Sequence, residues 1–214
     1  MQMKNWSFYA LLAFVILGSA TSEVQSQSRF RAGIVAGLNA SQINGDDSAG
    51  YNKLGFRAGL RAVTILGDKS ELNFDILFSQ RGSANELNPN GTNIRFVIQT
   101  NYVEVPVVFV FKDWEEADYY RIHVFGGLSY ARLINSRVEE FPPIFDEQDN
   151  FASDNIAIRL GASYYINKNW GFSLSWSRSF LPLYDSSRFA NNGMPNFNKD
   201  LVDYFLSFET VYLF

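Results

Sequence analysis

The chain has 214 residues, with 22 acidic and 18 basic side chains, a formal charge of −4, 16% aromatic residues, no cysteine and one histidine. The absence of cysteine excludes disulfides and thiolate metal sites, and the single imidazole, His123, excludes multi-histidine centres. A mildly acidic balance gives no electrostatic footprint for nucleic acid.

Lys4 precedes an apolar run from Trp6 to Gly18. That run has the length of a signal-peptide core and is short for a spanning helix, which needs ~20 residues. We expect a signal peptide over 1–27, with cleavage between 22 and 28 at a point after Ser22, Ser26 or Gln27. A retained anchor is the alternative. The remaining residues, 28–214, suit one domain.

Eight segments then alternate apolar and polar residues between turn signals: 29–41, 54–66, 70–82, 94–111, 119–134, 154–166, 170–182 and 201–214. The first sets Phe30, Ala32, Ile34, Ala36 and Leu38 against Arg31, Gly33, Val35, Gly37 and Asn39. The second sets Leu54, Phe56, Ala58 and Leu60 against Gly55, Arg57, Gly59 and Arg61, and the third Leu72, Phe74, Ile76 and Phe78 against Asn73, Asp75, Ser79 and Arg81. The sixth and seventh repeat the pattern, with Ile156, Ile158 and Leu160 opposite Arg159 and Gly161, and Phe172, Leu174 and Trp176 opposite three serines. The chain closes on Tyr204, Leu206, Phe208, Thr210, Tyr212 and Phe214 along one face, with Phe205, Ser207, Glu209, Val211 and Leu213 along the other. No helical periodicity of convincing length follows the leader.

The connections alternate strictly. Gly67–Lys69, a somewhat longer Lys112–Asp118 and Asn167–Asn169 are short, whereas 42–53, 83–93, 135–153 and 183–200 are long. Long loops on one side and short turns on the other are the pattern of a membrane barrel with extracellular loops and periplasmic turns. A lipocalin-like soluble barrel shows the same alternation with the apolar face turned inward. The leader, the loop asymmetry and a last strand ending on Phe select the lipid-facing reading. The expected fold is therefore all-β: an eight-stranded, antiparallel, up-and-down transmembrane β-barrel in the outer membrane, both termini periplasmic. Phe208, Tyr212 and Phe214 resemble the C-terminal signal by which such barrels engage the barrel-assembly machinery during insertion.

With the apolar face in lipid, the inward charges form a set: Arg31, Arg57, Arg61, Asp75, Arg81, Glu104, Arg159 and Glu209. An eight-stranded barrel has just enough interior for side chains to fill it, and buried charges need partners. This set is expected to pair as a structural plug; an ion path is the alternative. Gly33, Gly37, Gly55, Gly59 and Gly161 are expected to make room for the arginines. Aromatic girdles are expected from Tyr119, Tyr120, Trp170, Tyr212 and Phe214 at the periplasmic border, and from Tyr51, Phe96, Tyr130, Phe180 and Tyr184 at the outer one.

Two features stand outside this frame. His123, the lone candidate base, follows the second short turn with no Ser or Asp constellation around it, so no catalytic residue, cofactor or metal is expected. The loop segment Glu139, Glu140, Phe141, Pro142, Pro143, Ile144 and Phe145 mixes acids, prolines and large apolar side chains. It reads as a partner-binding loop, a cover for the barrel mouth or a cation-collecting segment, against a plain surface loop packing on its neighbours.

Three segments resemble the PorT-like outer-membrane β-barrel family of Bacteroidetes. They are Ala36-Gly37-Leu38-Asn39-Ala40-Ser41, Leu77-Phe78-Ser79-Gln80-Arg81-Gly82 and Asn101-Tyr102-Val103-Glu104-Val105-Pro106. The resemblance covers about 30–214 and implies an eight-stranded outer-membrane barrel. It also implies a structural or interaction role beside other envelope or secretion-complex proteins, as an accessory subunit of a type IX-like assembly. It brings no catalytic residues. Pro106 withholds one ladder donor and marks a candidate bulge. A narrow pore is the alternative function, and a small barrel enzyme a more remote one.

Overall fold

Period-two alternation lets one face of each strand meet hydrocarbon while the other meets side chains, and pairing every strand edge is what a membrane demands of a sheet. The computed structural model describes residues 29–44, 50–84, 95–141, 151–183 and 201–214. These form β1 (Phe30–Asn44), β2 (Lys53–Gly67), β3 (Ser70–Ala84), β4 (Arg95–Glu116), β5 (Tyr119–Phe141), β6 (Asp154–Tyr165), β7 (Trp170–Ser179) and β8 (Val202–Leu213). Consecutive strands pair antiparallel, and β8 returns to β1 from Gly33↔Leu213 to Asn44↔Val202, closing the barrel. No edge is left through the barrel wall.

The alternating apolar residues face outward. Phe56, Leu128, Phe172 and Phe208 are each more than half exposed, while Arg57, Ser129, Ser173 and Glu209 beside them are buried. This inversion of the ordinary soluble pattern has one physical rationale, a hydrocarbon solvent around the barrel.

Strands β4 and β5 run further than alternation suggests. They pair from Glu116↔Tyr119 to Arg95↔Phe141, so the connection expected over Lys112–Asp118 is a two-residue turn at Ala117 and Asp118. Ala117 takes φ 54° to make it. At the other end the hairpin outruns its neighbours, since β3 last pairs at Ala84↔Val97 and β6 first pairs at Arg132↔Asp154. The loop expected from 135 therefore begins only after Phe141. Both chain ends of the barrel lie at the end carrying the turns 68–69, 117–118 and 166–169.

Two expectations about backbone chemistry change. Pro106 interrupts hydrogen bonding but not register: Phe74↔Val107 and Leu77↔Glu104 share one register on either side of it. The bulge lies instead where Asn101↔Asn135 gives way to Tyr102↔Leu133, with Ile134 as the extra residue of β5. The inward glycines answer to backbone rather than to arginine. A Cβ at Gly37 would come within 2.0 Å of the Phe208 carbonyl oxygen, and one at Gly59 within 2.0 Å of that of Ile76.

Candidate functional site

The inward positions of β2, β3, β4, β6 and β8 bring their charges to one level of the lumen. Arg57 donates to Glu104 through Nη1 at 2.8 Å and Nη2 at 3.2 Å, and its Nε lies 2.6 Å from Glu209 Oε1. Arg159 Nη2 reaches the Glu209 carboxylate at 2.7 and 2.8 Å. Arg81 donates to Glu104 and, at 3.3 Å, to Asp203 Oδ2. Ser129 Oγ donates to Glu104 Oε1 at 2.7 Å, so Glu104 is held by two guanidinium groups and a hydroxyl. Aromatic faces complete the shell: the Arg81 guanidinium lies 4.1 Å from the Phe205 ring centre and 5.1 Å from that of Tyr102.

A second group lies toward the short-turn end. Arg61 forms a bidentate pair with Asp75, both bonds at 2.8 Å, and Lys112 Nζ donates to Glu71 at 2.7 Å. The arginine–carboxylate fork suits this geometry. The buried charged side chains are Arg57, Arg61, Arg81, Lys112 and Arg159 against Glu71, Asp75, Glu104, Asp203 and Glu209. Five cations thus face five carboxylates among the described residues.

Apolar layers lie beside the charges. Ile43, Ile98, Tyr102, Ala131, Leu183 and Leu201 pack together toward the long-connection end. Val35, Val63, Leu77, Tyr165, Val211 and Leu213 pack together toward the short-turn end. Between the strands that carry Arg159 and Glu209, the serines of β7 supply small inward side chains where that pair needs width. Chemically this interior neutralises charge and excludes solvent. Among the described residues each buried carboxylate is engaged by a cation.

The expected lumen set is brought together except for Arg31. Arg31 lies at the rim, where Nη2 donates to the Lys168 carbonyl at 2.6 Å in an exposed position. It begins β1 one residue from its end, too near the mouth to reach the central carboxylates. Glu139, Glu140 and Phe141 continue the backbone of β5 rather than a loop, because their pairing with β4 persists to Arg95. Their side chains, and Pro142, Pro143, Ile144 and Phe145, lie outside the described residues. Phe208 and Phe214 are exposed on the outer face, and Tyr212 contacts both Trp170 and Phe214, at ring distances of 4.8 and 5.6 Å. Tyr119, expected in that girdle, packs instead against the lower lumen cluster and donates to the Ile166 carbonyl. Of the outer girdle, Tyr51, Tyr130 and Phe180 are exposed, whereas the Phe96 side chain and Tyr184 lie outside the described residues. His123 is buried at the short-turn end, stacked on Tyr165 at 4.3 Å, with Nε2 3.1 Å from the Tyr120 carbonyl oxygen.

Asp203, Glu71 and Lys112 belong to the lumen set and are absent from the sequence expectation. Parity carries the signal for each: Asp203 precedes Phe205, Ser207 and Glu209 on one face, and Glu71 precedes Asn73 and Asp75. Lys112 continues the inward face of Val108 and Val110, but lies beyond the strand end expected at 111.

The family described as outer membrane protein beta-barrel domain matches residues 25–185. Among solved structures, Ail, the attachment invasion locus protein of Yersinia pestis, is 15% identical at a TM-score of 0.50, covering 86% of this chain and 98% of its own. Neisserial surface protein A is 12% identical at 0.47, covering 87% and 98%. Outer Membrane Protein W of E. coli is 13% identical at 0.41, covering 88% and 100%. At such identities the likeness concerns the fold alone. No curated protein matches the chain.

Proposed function

The chain belongs to the outer membrane protein beta-barrel domain family, and from that premise we propose that it is a structural or interaction protein of the outer membrane that acts through its exterior. The observation that carries this reading is the filled lumen. Five buried cations and five buried carboxylates pair across the interior, which leaves the lipid-facing belt and the long connections as the surfaces on which other molecules act. The charge set is a structural plug in this reading. The long connections, with the extended β4–β5 hairpin at their centre, face the outside, and both termini face the periplasm.

The PorT-like resemblance narrows the proposal to an accessory subunit of an envelope or secretion assembly, with 139–145, the end of β5 and the connection that follows it, as its docking segment. A mild-detergent pulldown of tagged protein from native outer membranes, followed by mass spectrometry, tests it. Stoichiometric envelope partners are expected, and they are expected to be lost when Phe141 and Phe145 are replaced by Ser. Recovery of the barrel alone overturns the assembly role. A catalytic role is not part of the proposal, because His123 is committed to packing at the end opposite the long connections.

A further inference from the structure

The outward face changes chemistry along one line. Just beyond Phe78, Val103, Tyr130 and Ile156, all exposed and apolar or amphipathic, come Gln80, Asn101, Arg132 and Asp154. Gln80 Nε2 donates to Asn101 Oδ1 at 3.1 Å, and Asn101 Nδ2 to Asn135 Oδ1 at 2.7 Å. Arg132 is neutralised at this level by both oxygens of Asp154 at 2.7 Å. This line marks the edge of the hydrocarbon zone at the long-connection end.

Continued round to β7 and β8, the line meets Arg178, one outward position past Trp176 and opposite Tyr204. Arg178 is exposed, and among the described residues no carboxylate pairs with it. Beside it the end of the first long connection folds against the barrel wall. The Gly50 N–H donates to Gln42 Oε1 at 3.0 Å, and Tyr51 meets Tyr204 edge-on at 5.5 Å. Between this flap and β7 lies a cleft of about 290 Å³ lined by Asn44, Tyr51, Trp176, Arg178, Val202 and Tyr204. Below it the outer face is bare hydrocarbon at Leu174 and Phe208.

We propose that this cleft seats the phosphorylated headgroup of an outer-leaflet lipid, its phosphate on Arg178 and an acyl chain lying down Trp176, Leu174 and Phe208. The guanidinium fork matches phosphate oxygens bidentately. At a hydrocarbon border a cation with no carboxylate partner among the described residues is matched by an anionic headgroup, and amphipathic aromatics favour the same depth. Arg132 supplies the internal contrast, since Asp154 already occupies its fork. An apolar floor continuous with the lipid belt favours a lipid over a soluble anion. The inference rests on the reading that the long connections face outside.

The test is native mass spectrometry of the purified full-length barrel incubated with bis-phosphorylated lipid A. One lipid A is expected to be retained, with affinity reduced roughly fivefold by Arg178→Gln, about one arginine's share of headgroup attraction, and unchanged by Arg132→Gln. Heat-modifiable gel migration confirms that both variants are folded. Equal retention by Arg178→Gln overturns the site, as does equal retention of dephosphorylated lipid A. Displacement by inorganic phosphate also overturns it, by making the cleft a site for a free anion. Orientation is read separately, because a chain without cysteine allows clean single-cysteine labelling of intact cells at Asn52→Cys and Asp68→Cys. Labelling at Asn52→Cys without lipid retention overturns the cleft alone. Labelling only at Asp68→Cys overturns the orientation and, with it, the outer-leaflet assignment.

Discussion

At the scale of single residues, Glu104 carries the most concentrated set of interactions in the molecule. It is fully buried and accepts from Arg57, Arg81 and Ser129. Neutralising it leaves two guanidinium groups facing an amide and gives the lumen a net positive charge where water cannot compensate. Breaking a buried pair in this way typically costs about 3–5 kcal/mol, although replacing a whole buried network by apolar groups can be neutral. Glu104→Gln is therefore expected to lower unfolding stability by that amount, read as a shift of the urea midpoint by tryptophan fluorescence in lipid vesicles. Lys69→Ala serves as the control. Its partner Asp113 is 3.8 Å away and both side chains are exposed, so removing the pair is expected to cost at most ~1 kcal/mol. A Glu104→Gln midpoint equal to that of the control removes the ion-pair cluster from any account of stability.

At the scale of elements, β8 closes the barrel and carries the residues proposed as an assembly signal. It pairs with β7 and β1 together, and the Phe214 N–H donates to the Ala32 carbonyl at 2.8 Å while its ring stays exposed. An exposed ring contributes little to packing, so Phe214→Ala is expected to change the stability of protein refolded in detergent by less than ~1 kcal/mol. If the ring serves recognition during insertion, the same variant is expected to lower the assembled, heat-modifiable fraction in cells several-fold. Equal loss in both assays makes Phe214 a packing residue and removes its signal role. The faces of the strands were legible because a period-two pattern is unambiguous once lipid is taken as the solvent: Arg57, Arg81, Glu104, Arg159 and Glu209 all follow from parity. Strand ends were less legible, because alternation fades where both faces are polar. Lys112 lies at such an end, and so does Arg31, which parity assigns to the lumen and position assigns to its rim. The partners within the lumen were not legible at all. Which carboxylate meets Arg57 depends on barrel stagger, which places β4 and β8 at its level although Glu104 and Glu209 lie far apart in sequence. The reason for the inward glycines was also hidden, since a carbonyl 2.0 Å from an absent Cβ is a product of strand coiling.

At the scale of the whole molecule, the competing accounts differ in what passes through the barrel. An ion crossing the lumen must pass the level at which Arg57, Arg81, Arg159, Glu104, Glu209 and Asp203 are interlocked, and then an apolar layer containing Val35, Val63, Leu77 and Val211. Entry there breaks ion pairs without offering equivalent partners, and leaving one charge of a buried pair uncompensated costs several kcal/mol. The wild-type protein in planar bilayers is accordingly expected to show no discrete conductance steps. The double replacement Arg81→Ser and Glu104→Ser removes one charge of each sign, keeps the lumen neutral and exchanges two long side chains for small hydroxyls. It is expected to admit water and to produce small steps if the interlocked charges are the barrier. Steady conductance in the wild type would make the lumen a pathway and shift the function toward transport. Silence in both proteins would place the barrier in the apolar layer, and Val35→Ser with Val211→Ser would then be the pair to record.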